Sequence, residues 1–171
     1  MKVDVKIEDA QVQRYFAQLA ARAESLRPLM ADIGEHLAET TKQRFATSTA
    51  PDGSKWAANA QSTLLAFAGA FSRSFDKKGR LTSGGARRLS GKKPLIGESG
   101  RLGREINYRA DDRSVTVGSA MVYAAIHQFG GQAGRARSVN IPARPFLGLS
   151  TADASVLVAK AREWLADAPT A

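Results

Sequence analysis

Two imidazoles, His36 and His127, are the side chains best suited to proton transfer in this 171-residue sequence, and neither lies in a catalytic motif. No serine or carboxylate stands at a spacing from either one that builds a nucleophile arrangement. A lone histidine is more often a packing or hydrogen-bonding residue than a base, and that is the expectation for both. Cysteine is absent, which removes thiolate nucleophiles, thiolate metal sites and disulfides. Two distant histidines without a carboxylate cluster match no metal-ligand spacing. Gly84-Gly85, Gly97, Gly100 and Gly103 lack the strand, glycine-lysine and helix order of a phosphate-binding loop. No catalytic residue, cofactor or metal is expected, and the sequence reads as that of a non-enzyme.

Charge is the stronger signal. The net charge is +9, and it is unevenly placed. Residues 1–50 carry seven basic and seven acidic side chains, whereas residues 70–109 carry eleven basic against three acidic, a local excess of eight. A block of like charge repels itself unless a polyanion or partner carboxylates lie opposite. Lys77, Lys78, Arg80, Arg87, Arg88, Lys92 and Lys93 are therefore candidates for contact with DNA phosphates or an acidic partner. The plainer alternative is a solvated basic loop. A sequence-independent nucleic-acid-binding module fits the charge map equally well. However, Phe75 is the single aromatic between Ser72 and Ile106, where single-strand binders interleave several. No helix-turn-helix or zinc-finger pattern occurs.

The length suits one domain, residues 1–171, and an ordinary apolar fraction of 43% allows a sizeable core. Val3, Val5 and Ile7 alternate with polar residues as in a short strand. Val12, Tyr15, Phe16, Leu19, Ala23 and Leu26 then follow helical spacing. Pro28 breaks that helix or opens the next, which Leu29, Met30, Ile33, Leu37 and Phe45 continue. Leu64, Leu65, Phe67 and Phe71 suit a short helix. Residues 72–94 show no period and read as a long mobile basic loop. Ile106, Tyr108, Val115 and Val117 flank Ala110-Asp111-Asp112-Arg113, predicting a β-hairpin. A short helix ends at Gly130-Gly131, and a second flexible basic loop carries Arg135 and Arg137. Ser150 with Asp153 three residues on predicts a capped start for a last helix. The fold expected is α+β, with N-terminal helices and a C-terminal helix packed on a small antiparallel sheet. The N-terminus reads as neither signal peptide nor membrane span, so a soluble, unprocessed chain with no membrane partner is expected.

Four pieces, in order, carry a family resemblance: Pro51-Asp52-Gly53-Ser54-Lys55-Trp56; Leu95-Ile96-Gly97-Glu98-Ser99-Gly100-Arg101-Leu102; Val117-Gly118-Ser119 with Tyr123-Ala124-Ala125-Ile126-His127-Gln128-Phe129-Gly130-Gly131; and Ile141-Pro142-Ala143-Arg144-Pro145-Phe146-Leu147-Gly148-Leu149. Together they resemble the phage virion morphogenesis and tail-completion family of Mu-like tailed phages, over roughly residues 30–165, with the stretch 64–93 longer and more basic than the family pattern. The resemblance implies a structural virion protein assembled in the host cytoplasm. It would be a ring of six copies at the neck, the head-proximal end of the tail, contacting neighbouring neck and tail proteins. A tail-terminator ring is the close alternative. Trp56, Tyr123, His127, Phe129, Arg144 and Phe146 are the expected interface or fold anchors, and the basic loop is expected to face DNA in the lumen or an acidic neighbouring ring.

Overall fold

The computed structural model describes residues 10–97 and 99–166. Among them, seven α-helices and two two-stranded sheets give the α+β class expected. The alternating Val3, Val5 and Ile7 lie outside the described residues. By internal contacts the chain forms two compact units, described in turn.

The first unit comprises the described residues up to Glu39, together with Asn107–Gly118 and those from Leu149 onward. Helix α1 spans Ala10–Glu24 and α2 opens at Arg27, running to Thr47. Pro28 thus stands in the first turn of α2, where a missing N–H costs nothing. The Ser25-Leu26 break is fixed by the hairpin. The Leu26 N–H donates to the Asp112 carbonyl at 3.1 Å, and Ser25 Oγ donates to Asp112 Oδ1 at 3.2 Å. Strands β1, Ile106–Ala110, and β2, Val115–Ser119, pair as the alternation predicts. Asp111 shapes their turn: its Oδ1 accepts from the Arg113 and Ser114 amides at 3.0 and 2.7 Å. Those bonds and the Ser114 hydroxyl hold its carboxyl below the usual carboxylate range.

Helix α2 meets this hairpin through Gly34. A Cβ there would lie 2.3 Å from the Tyr108 ring and 2.8 Å from Val115, so the bare glycine lets the aromatic seat against the helix. Helix α7, Thr151–Ala166, starts where expected, on a two-way cap. Ser150 Oγ accepts from the Asp153 amide and Asp153 Oδ2 from the Ser150 amide, both at 3.0 Å. Lys160 Nζ reaches both Asp32 oxygens at 2.7 Å, and the Arg22 guanidinium lies 4.6 Å over the Trp164 ring. His36 Nε2 is 3.3 Å from Asp153 Oδ1.

The second unit comprises Thr40–Ile106 and Ser119–Gly148. Its core is the aromatic trio Phe45, Trp56 and Phe146, with the Phe45 centroid 5.3 Å from each of the other two. Helices α3, Gln61–Gly69, and α6, Ala124–Phe129, fall where periodicity places them.

Two readings of the sequence are corrected here. Residues 72–94 are not one long mobile loop. Phe75 bridges Leu81 around a tight turn, and helix α4 occupies Ser83–Ser90. Asp76 organises the turn, accepting from the Lys78 and Arg80 amides at 2.8 and 2.9 Å. Thr82 caps α4 by accepting from the Gly85 amide. Gly85 lies so close to the Ser74 carbonyl that a Cβ would stand 2.3 Å from it. The order comes from polar turn and cap residues, which hydrophobic periodicity does not register.

The second basic loop is also folded. Strands β3, Gly131–Ala133, and β4, Val139–Ile141, pair antiparallel with Gln132 opposite Asn140. A 3-10 turn at Arg135–Arg137 joins them. A short helix α5, Arg101–Arg104, was likewise unexpected.

Candidate functional site

The proline-framed segment Arg144-Pro145-Phe146-Leu147 runs through the middle of the second unit, and every polar partner along it is a fixed clamp. Trp56 Nε1 donates to the Pro145 carbonyl at 2.7 Å. The Asp52 turn that presents Trp56 is closed by Oδ1 accepting from the Ser54 amide at 2.9 Å. From α2, Arg44 Nη1 donates to the Phe146 and Gly148 carbonyls at 2.8 and 2.9 Å. From α6, Gln128 Oε1 accepts from the Phe146 and Leu147 amides, both at 3.0 Å, while Nε2 donates to the Leu147 carbonyl at 2.9 Å. Side chains thus supply the hydrogen bonds that a neighbouring strand otherwise gives.

Arg144 belongs to the same framework. It is buried, 6% exposed, and its Nε and Nη2 donate to the Ala57 and Ala58 carbonyls at 2.7 and 2.8 Å. Its amide donates to the His127 carbonyl at 2.8 Å, tying the segment to α6. Of the six residues expected as anchors, Trp56, Arg144 and Phe146 are buried fold anchors. Phe129 and Tyr123 are exposed, at 78% and 41%. Val122, just before α6, is 97% exposed and was missed by the sequence reading. Gln128 and Arg44 were missed too, since a polar residue on a short helix gives no signal of the backbone it will bind.

His127 is half-buried beside Tyr123, with ring centroids 6.0 Å apart. Its Nδ1 is buried without a hydrogen-bond partner, so no carboxylate orients the ring as a general base requires. Burial, and then the Arg144 charge, lower its pKa below the ordinary 6.5. Among the described residues no group of three or more His, Cys, Asp or Glu side chains is placed to hold a metal, and no helix is long and apolar enough to cross a membrane.

The basic residues divide by setting. Lys77, Lys78 and Arg87 are exposed, on the turn and on α4. Arg80 pairs with Asp76 at 2.9 Å, and Arg88 donates to Ser74 Oγ at 3.2 Å with its guanidinium 5.3 Å from the Phe71 ring. Lys93 donates to the Ala46 carbonyl at 2.7 Å, and Lys92 to that of Ile96 while lying 4.4 Å over the Phe67 ring. Lys92 and Lys93 also line a cleft of about 530 Å³ with Arg101, Arg144, Tyr123 and His127.

No solved structure matches the chain. A curated relative, the Mu-like prophage FluMu G protein 2 of Haemophilus influenzae, is 48% identical over 60 residues, which cover 35% of this chain and 43% of the relative. The chain therefore spans under half the length of that relative. The model of the phage virion morphogenesis family matches residues 7–166. With nearly its full length matched, the chain belongs to the phage virion morphogenesis family.

Proposed function

We propose that this chain is a tail-completion subunit of the phage neck, assembling with its own copies into a ring at the head-proximal end of the tail and serving head–tail joining. Six copies is the number the family resemblance implies. The observation that carries the reading is the exposure of Val122 and Phe129, 97% and 78%, before and at the end of α6, a helix pinned through Gln128 and the His127 carbonyl. Large apolar side chains held out by a rigid support suit a protein interface. Lys77, Lys78 and Arg87, with Arg80 and Arg88 beside them, supply a sequence-independent positive surface for DNA in the lumen or for an acidic neighbouring ring.

The test is a phage carrying Val122→Ser and Phe129→Ser. We expect a folded subunit with unchanged melting, tails that fail to join heads, and loss of self-association in solution. Normal particle yield overturns the reading. Electron microscopy of intact particles distinguishes the neck position from that of a tail terminator. A stable monomer that binds DNA with a steep salt slope marks the nucleic-acid-binding module instead.

A further inference from the structure

We propose that the cleft between β4 and residues 92–102 is a docking groove for an extended acidic peptide of a partner protein, taken up alongside β4. Two independent observations support this. The first is charge. Lys92, Lys93, Arg101 and Arg144 put four positive side chains around the cleft, and no acidic residue lines it among those described. The ammonium groups of Lys92 and Lys93 hold backbone carbonyls, so positive charge is fixed at a concave site, where it acts more strongly than on an open surface.

The second is an unfilled strand edge. β4 pairs with β3 alone in a two-stranded sheet, and Val139, Asn140 and Ile141, the whole of β4, line the cleft. An edge strand offers free N–H and C=O groups to an added strand. Val139 is 52% exposed there. Leu95 and Ile96 add apolar lining to the cleft. An extended chain alternates its side chains, so a peptide of alternating acidic and apolar residues offers one set to the cations and the other to the apolar lining. A cleft of about 530 Å³ holds a few peptide residues and excludes a duplex, whose phosphates suit the outward-facing Lys77, Lys78 and Arg87.

The experiment uses the full chain and three labelled probes: a decapeptide of alternating glutamate and valine, its glutamine–valine counterpart, and a short DNA duplex. The glutamate peptide is expected to bind about tenfold or more tightly than the glutamine one, and to weaken as salt is raised. Its amide shifts should map to residues 95–97 and 139–141. Arg101→Glu, at an exposed position, should lower the affinity about tenfold with melting unchanged. Equal binding of the two peptides, shifts confined to residues 77–88, or an Arg101→Glu chain that binds as before overturns the proposal. So does a duplex that competes for the groove and is lost with Arg101→Glu. None of these results depends on self-association, so failure here and failure of the ring reading are separately visible.

Discussion

Gln128 and Leu147 are joined by two hydrogen bonds of opposite sense. The Leu147 amide donates to Gln128 Oε1 at 3.0 Å, and Gln128 Nε2 donates to the Leu147 carbonyl at 2.9 Å. One side-chain amide thus reproduces the pairing of a β-strand partner, with a third bond from the Phe146 amide at 3.0 Å. Gln128→Ala leaves three backbone groups of a partly buried segment unsatisfied. Its expected cost is about 2–4 kcal/mol, since each such group carries roughly 1 kcal/mol or more of desolvation. Urea unfolding measures it, and a loss below about 0.5 kcal/mol contradicts the clamp.

Trp56→Phe separates ring packing from hydrogen bonding. The edge contact with Phe45 survives in outline, while the Nε1 bond to the Pro145 carbonyl is lost. Stability should fall by about 1–2 kcal/mol, whereas Trp56→Ala should cost about 3–5 kcal/mol through the cavity it leaves.

Gly34→Ala is expected to destabilise, although alanine is the better helix former by about 1 kcal/mol. The new methyl meets the Tyr108 ring and Val115 at 2.3 and 2.8 Å. Overpacking of this kind costs about 1–3 kcal/mol. In a Tyr108→Ala background the same substitution should become much less harmful, and equal cost in both backgrounds rules out this contact as the cause. Thermal melts of the native chain and the three variants decide it.

The His127 pKa lies below 6.5 in the folded chain because burial and the Arg144 charge disfavour the imidazolium. As pH falls below 6.5, the unfolded chain takes up this proton first. Stability present at neutral pH is therefore lost progressively, until the folded-state pKa is passed. His127→Gln should flatten the melting temperature between pH 7 and 5 relative to the native sequence. Asp52, Asp76 and Asp111, with lowered pKa values, act only near and below their ordinary 3.8, outside this window. An unchanged pH profile in the variant assigns the dependence elsewhere.

Legibility in the sequence followed the kind of force involved. Elements built on apolar periodicity, such as α2, α7 and the β1–β2 hairpin, could be placed from residue spacing and from the Ser150–Asp153 cap. Elements built on polar side chains gripping backbone could not. α4 depends on Thr82 and on the bare backbone of Gly85 near Ser74, and neither leaves a periodic trace. The expected anchor residues divide by burial in a way that residue type does not indicate. Phe129 and Phe146 are the same residue type seventeen positions apart, yet one is 78% exposed and the other 0%. Only the tertiary course of the chain separates them.

Arg44 and Arg144 have a consequence for how the molecule answers ionic strength. Both guanidinium groups are shut away, 7% and 6% exposed, and each holds two carbonyls, so counterions reach them poorly. Concentrated salt screens the outward lysines while these inner rivets stay closed. A chain made this way keeps its own shape through a rise in ionic strength, and dilution restores the reach of its surface charges.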